Sequence, residues 1–264
     1  KSMSITENKE RIGSFTSSNV YKLIPMGSEP MNEEELHKHK EDNPKSRKKN
    51  KDAGFSDAGL TYIKEKQIEI RMRRSIDVEA YSKSMFWGSF MELFVFEKLG
   101  LGYEITSDET DVHPTIKHWS GSKDLFVKGK KIAEIKCFQP KKFALYTDSL
   151  LSESVENIKE EFPKEYWQMV SNAIINDVPN AEGITYMPYE SDLKEIREFA
   201  ENYEGADQWK YRFIYESPKC ELAYLPDVGY YKDLNRFEFE VPDKDKQLLT
   251  SRVEEAITLL NKTD

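Results

Sequence analysis

Two short segments of this sequence carry residue types that together can do hydrolytic chemistry. They are Ser122-Lys123-Asp124-Leu125-Phe126 and Ala133-Glu134-Ile135-Lys136-Cys137. Side chains alternate along a strand, so Ile132, Glu134 and Lys136 share one face while Ala133, Ile135 and Cys137 share the other. A turn through Lys128-Gly129-Lys130 joins two expected strands, 123–127 and 132–138. With Asp124 on the adjoining strand, one end of the hairpin holds two carboxylates and an ammonium. That trio suits phosphodiester hydrolysis. Asp124 and Glu134 offer oxygen ligands to Mg²⁺ (Mn²⁺ as a substitute), a hard cation that keeps several of its waters, and the Ile135 carbonyl is a third donor. A metal held there polarises the phosphoryl oxygen and lowers the pKa of an attacking water. Lys136 is expected to position that water and to offset charge on the phosphate. The same three residues taken alone also describe a surface hairpin with an ion pair. The rest of the chain decides between the two.

The elements that must position this trio follow from periodicity and punctuation. Residues 11–24 read as a turn and a helix, with Ser14, Thr16, Ser17 and Ser18 as cap candidates. Residues 27–57 are polar and include Lys45-Ser46-Arg47-Lys48-Lys49-Asn50-Lys51, which reads as a mobile basic insertion. Helices are expected over 59–72 and 78–99, the second ended by Gly100. A strand over 103–106 comes next, then the hairpin and a largely helical stretch over 143–159. Pro163 suits the first position of a helix over 163–176. Strands are expected over 183–189, 208–215 and 221–224, and an amphipathic helix over 243–260 with Leu248, Val253, Ile257 and Leu260 on its apolar side. This pattern indicates an α/β or α+β domain around one central mixed sheet flanked by helices.

Four further segments lie in order around the trio: Arg11-Ile12-Gly13-Ser14-Phe15-Thr16-Ser17-Ser18, Gly88-Ser89-Phe90-Met91-Glu92, Tyr166-Trp167-Gln168-Met169 and Gly183-Ile184-Thr185-Tyr186-Met187-Pro188-Tyr189. With Asp124 and Glu134-Ile135-Lys136 they resemble the PD-(D/E)XK nuclease superfamily, in the branch of phage lambda exonuclease and viral-type recombinase nucleases. The resemblance implies a restriction-endonuclease-like core in a single domain spanning 1–264. It also implies that Glu92 faces the metal directly or through water, that Gln168 orients the attacking water or a phosphate oxygen, and that Arg11 and Ser18 hold the 5′-phosphate of a DNA end. Lys123 stands where the superfamily often has proline, and the 27–57 insertion is longer than the pattern suggests.

Each of these residues also has a plainer role open to it. Glu92 has Gly88, Ser89, Val95 and Phe96 one turn away, a small and apolar face that turns its carboxylate inward; the alternative is a glutamate reaching solvent at the helix edge. On spacing alone Gln168 is a surface glutamine. Ser18 is either part of an anion site at a helix N-terminus or an ordinary cap. Lys141 and Lys142, beyond Pro140, are candidate phosphate contacts. His118 is a loop or substrate contact, and Cys137 belongs to the core.

Composition bounds the reading. The chain has 264 residues, of which 38% are hydrophobic and 33% charged, and its net charge is −9. No apolar run approaches the roughly 20 residues of a membrane span, and the first ten residues have no apolar signal core. Two cysteines argue against a disulfide framework and for a reducing, cytoplasmic setting. An acidic chain can still carry a local basic groove. Within those bounds, the resemblance implies a Mg²⁺-dependent DNA exonuclease acting on duplex ends, 5′ to 3′, in phage or prophage recombination within a bacterial host. A single-strand annealing recombinase and a homo-oligomeric ring are the implied partners. The alternatives are an endonuclease of restriction or repair type and a non-catalytic DNA-end-binding recombination protein.

Overall fold

Six residues, Lys131–Lys136, form the strand around which the rest is built, and four of them are fully buried. The computed structural model describes residues 9–24, 33–42, 54–76, 82–100, 102–106 and 109–262. In chain order the strands are β1 (Phe15–Thr16), β2 (Glu104–Ile105), β3 (Asp111–Val112), β4 (Trp119–Gly121), β5 (Leu125–Val127), β6 (Lys131–Lys136), β7 (Asn180–Tyr186) and β8 (Leu234–Glu240). The helices are α1 (Glu33–Asp42), α2 (Asp57–Met72), α3 (Lys83–Leu99), α4 (Pro140–Leu151), α5 (Val155–Glu161), α6 (Pro163–Ile175), α7 (Leu193–Glu201), α8 (Gln208–Glu216) and α9 (Asp243–Leu260).

The main sheet has the order β2-β5-β6-β7-β8. β6 and β7 are parallel, registered from Lys131 opposite Asn180 to Lys136 opposite Thr185, and the other pairs are antiparallel. A second, smaller mixed sheet has the order β1-β4-β3, with β1 parallel to β4. The expected central mixed sheet is present; the small sheet was not foreseen. Alternation along β6 sends Ile132 into the core of α4, α6 and α9, and Ala133 and Ile135 into the core of α3, α7 and α8. Burying each such isoleucine contributes about 1.5–3 kcal/mol. Glu134 and Lys136 therefore share the α6 side with Ile132. Cys137 packs, partly buried, against the opposite core, as its position in the alternation requires.

Local chemistry sets the helix boundaries. Ser56, Ser82 and Ser154 each accept a hydrogen bond at 3.2 Å from the backbone N–H three residues on, capping α2, α3 and α5. Pro140 and Pro163 open α4 and α6, where a missing N–H costs nothing. Glu153, at φ 50°, breaks the stretch 143–159 into α4 and α5. α9 buries Leu249, Val253, Ala256 and Leu260, while Leu248 and Ile257 flank that stripe.

Four expectations need correction. Residues 11–24 form β1 and a short 3-10 turn, Val20–Leu23, instead of a helix. Phe15 N–H bonds to the His118 carbonyl and Ser17 N–H to that of Ser120, so pairing with β4 overrides local propensity. The insertion contains α1 where a structureless loop was expected, and it ends on buried Phe55, whose ring lies under the Arg252 guanidinium. The basic run Lys45 to Lys51 falls outside the described residues. Residues 208–215 are the helix α8: their aromatic alternation reads as a strand, but only Tyr211 and Ile214, three apart, turn into the core. Residues 221–224 begin in the 3-10 turn Lys219–Glu221 and contribute no strand. Among the described residues no helix is long and apolar enough to cross a membrane.

Candidate active site

Asp124 stands one residue before β5, level with the middle of β6. Its Oδ2 accepts the Ile135 N–H at 2.7 Å, so the carboxylate is pinned to the strand that carries its partners. Glu134 is 1% exposed, which makes its hydrogen bonds decisive, because a buried carboxylate needs partners. Its Oε2 accepts from Gln168 Nε2 at 2.6 Å and from Lys136 Nζ at 3.3 Å, and its Oε1 accepts from Asn172 Nδ2. Gln168 and Asn172 are four residues apart on α6 and so present one face to β6. Asn172 Nδ2 also donates to the Ser122 carbonyl at 2.9 Å, tying α6 to the segment that leads into Asp124.

The electrostatics follow from this crowding. Burial and then the Asp124 charge raise the Glu134 carboxyl, against the pull of Lys136 and Asn172, and push it up to about 8. Burial likewise raises Asp124, opposed by Lys136 and the Ile135 N–H. Burial alone would depress the Lys136 ammonium, but Glu134, Asp124 and Glu92 outweigh it, so its pKa is raised and the group stays charged. Burial, then Glu92 and Asp124, lifts the Cys137 thiol well above its usual range, so it is no nucleophile here.

A hard divalent cation suits this donor set. When both ionise, half-buried Asp124 and buried Glu134 against one ammonium leave negative charge uncompensated, and both carboxyl pKa values are raised, a cost that a cation would reverse. Among the described residues no three His, Cys, Asp or Glu side chains gather into a metal cage. Mg²⁺ commonly takes one or two carboxylates and keeps water or substrate oxygens for the rest. Glu92 is half-buried on α3 and acts on Lys136 and Cys137 through its charge.

The N-terminal segment reaches the site through α6. Ser17 Oγ lies 2.8 Å from Ser171 Oγ, which also accepts from Trp119 Nε1 at 2.9 Å. Helix α2 braces the same segment: Glu69 accepts the Gly13 N–H at 2.9 Å, and the Tyr62 hydroxyl accepts the Thr16 N–H at 2.9 Å. Gly13 has φ +65°, and a Cβ there would lie 2.4 Å from Ile70 Cγ1, so glycine is required. Ser18 Oγ is 3.4 Å from Thr16 Oγ1 and caps no α-helix, so the anion site pictured at a helix N-terminus becomes a hydroxyl-lined turn. Among the described residues no carboxylate pairs with Arg11. His118 sits at φ 63° with Nδ1 3.1 Å from the Gly13 carbonyl, which makes it a brace for that turn.

The remaining candidates lie around the mouth of the site. Lys142 pairs with Glu165 at 2.6 Å and rests over the Phe138 ring, while Lys141 is exposed. Lys123 turns away from the site to Asp111, at 2.6 Å. Asn172 escaped the sequence reading, although its place four residues after Gln168 was the available signal. Gly121 shows how tightly Asn172 is held. A Cβ at Gly121 would meet Asn172 Oδ1 at 2.1 Å and Ser17 Oγ at 2.2 Å. Gly121→Ala is therefore expected to cost about 1–3 kcal/mol of stability and to slow turnover by loosening Glu134, measured by thermal melting and single-turnover assay. An unchanged melting temperature would show that Asn172 has room to move.

No family model and no curated protein sequence matches the chain. Solved structures do. The chain is similar to an alkaline exonuclease from Laribacter hongkongensis, with a TM-score of 0.57 and 14% identity over 97% of this chain and 92% of that one. The same exonuclease in complex with dAMP gives 0.57 and 13% over 96% and 90%. A phage-related exonuclease from Haemophilus somnus 129PT gives 0.54 and 14% over 94% and 93%. The chain thus shares the mixed α+β fold of alkaline and phage-related exonucleases, over nearly its whole length.

Proposed function

We propose that this chain is a Mg²⁺-dependent deoxyribonuclease that degrades duplex DNA from its ends, 5′ to 3′, and serves phage or prophage recombination alongside a strand-annealing protein. One observation carries the reading: the carboxylates of Asp124 and Glu134 and the charged Lys136 are held together by the β6 backbone, by each other and by α6, in a fold shared with exonucleases. Asp124, Glu134 and the Ile135 carbonyl would hold the ion, with Glu92 bearing on it from α3. When bound, the ion supplies Lewis-acid polarisation of the phosphoryl oxygen and a lowered pKa for water.

The chain's own residues do the rest. Lys136 stays an ammonium, so it donates a hydrogen bond to the water or the phosphate and does not act as a base. Gln168 keeps its Nε2 on Glu134 and leaves its carbonyl oxygen to orient water. Asn172 fixes the other carboxylate oxygen, which holds the site in one geometry before substrate arrives. Arg11, with Ser18, is assigned to the 5′-phosphate of the end, where a guanidinium gives a charge-assisted contact. Lys141 and Lys142 are assigned to backbone phosphates.

A non-catalytic end binder has no use for a buried carboxylate beside a second one, a costly arrangement that serves cation binding and chemistry. Exonuclease and endonuclease separate on one gel. Linear duplex is expected to disappear in the presence of Mg²⁺ while covalently closed circles persist; nicking or linearisation of the circles would favour the endonuclease.

A further inference from the structure

We propose that Lys164, together with Lys22 and Lys142, forms a ledge beside the active site that grips a DNA backbone phosphate flanking the cleaved one. The inference rests on the nuclease reading and adds to it where the strand lies.

The geometry begins on α6. Lys164, Gln168 and Asn172 follow one another at four-residue intervals, so they line a single face of the helix. Gln168 and Asn172 both hold Glu134. Lys164 is on the same face one turn, about 5.4 Å, further out. It sits in the first turn of α6, behind Pro163, where no side chain caps the backbone N–H groups. The other two lysines approach from neighbouring elements. Lys22 projects from the 3-10 turn Val20–Leu23, and its ammonium lies 4.9 Å from the Tyr62 ring centre. Lys142, on α4, is held to Glu165 at 2.6 Å and lies 4.0 Å from the Phe138 ring centre.

Charge is out of balance here. The chain as a whole carries −9, yet the charges of Lys142, Lys136 and Lys22 all act on Lys164. The nearest carboxylate, Glu165, is engaged by Lys142, and among the described residues no ion pair forms with Lys164 or Lys22. Burial, with the charges of Lys142, Lys136 and Lys22, lowers the Lys164 pKa against the opposing pull of Glu165. A phosphate would relieve that repulsion. The scissile phosphate belongs between the carboxylates and Lys136, so the ligand one turn out is a neighbour on the same strand.

The test is equilibrium binding of labelled duplex DNA to the full chain in chelator, across a salt series, for wild type, Lys164→Gln, Lys164→Arg and Lys194→Gln. Lys194 lies on α7, 87% exposed and far less confined, and serves as the charge-matched control. Each lost duplex-phosphate contact flattens the log–log salt slope by about 0.9. Lys164→Gln is expected to flatten the slope by that amount and to raise KM several-fold with kcat within about twofold. Lys164→Arg should restore the slope, and Lys194→Gln should leave it unchanged. An unaltered slope in Lys164→Gln, or an equal change in Lys194→Gln, overturns the ledge. Where melting shows Lys164→Gln to be misfolded, Lys22→Gln takes its place with the same expected slope change. If the slopes behave as expected while the wild type cleaves nothing with Mg²⁺, the ledge stands and the nuclease reading falls.

Discussion

Glu134→Ala and Asp124→Ala should each lower the cleavage rate by about a thousandfold or more. Each removes one of the two carboxylates available to the metal, and a thousandfold corresponds to about 4 kcal/mol of lost transition-state stabilisation. Truncating Glu134 also strands the amides of Gln168 and Asn172, so the isosteric Glu134→Gln is the cleaner variant. It has a second, independent signature. The folded Glu134 carboxyl is raised to about 8 from an ordinary value of 4.5. A raised carboxyl stabilises the fold while it is protonated. That contribution is intact below 4.5 and is lost as pH rises through 8. Metal-free wild type should therefore lose stability over this window relative to Glu134→Gln, and Mg²⁺ should restore the wild type alone. Chemical denaturation at several pH values, with and without Mg²⁺, reads the difference. Parallel pH profiles would mean that Glu134 is neither strained nor a ligand.

Lys136→Ala should lose most of its turnover, about a hundredfold to a thousandfold, while still binding the metal. The reasoning is electrostatic. Lys136 is charged throughout the neutral range, touches Glu134 at 3.3 Å, and is the cation nearest to where charge develops on the phosphate. Its removal leaves Asp124 and Glu134 uncompensated, which raises both carboxyls further. Metal affinity must therefore be compared far enough above pH 8 for Glu134 to be ionised in the variant as well as in the wild type. Calorimetric titration with Mg²⁺ at that pH should give affinities within a few-fold for the two proteins. Lys136→Arg should rescue poorly, because a planar fork does not replace a compact ammonium in a crowded site. Equal losses of turnover and metal affinity would make Lys136 a structural counter-ion only.

The strand β6 was legible because its signal is local. Period-2 alternation places Ile132, Glu134 and Lys136 on one face whatever else the chain does, and Pro163 announces α6 just as directly. Asp124 could be placed because a tight turn leaves little choice of register, and Leu125 does face Ala133. Asn172 was legible only through its spacing of four from Gln168. An asparagine inside a helix has no pattern of its own, and its importance exists only once β6 lies against α6. The same holds for the turn at Arg11 to Ser18, where Glu69 and Tyr62, more than 40 residues away, dictate the conformation. Misreading α8 has a different cause: its aromatic residues alternate, and only packing against α3 and α7 selects the helical face. α7 was an oversight, since Leu193, Ile196 and Ala200 form a helical stripe in plain view.

Asp124, Glu134 and Lys136 are proposed to hydrolyse DNA from an end with a bound divalent ion. The most direct measurement is digestion of end-labelled linear duplex by the purified chain, with Mg²⁺ present or chelated and with Glu134→Gln alongside. Release of labelled mononucleotides from the 5′ end with Mg²⁺, abolished by chelator and absent in Glu134→Gln, is the predicted result. Degradation that survives the chelator, or that Glu134→Gln carries out at the wild-type rate, would contradict it.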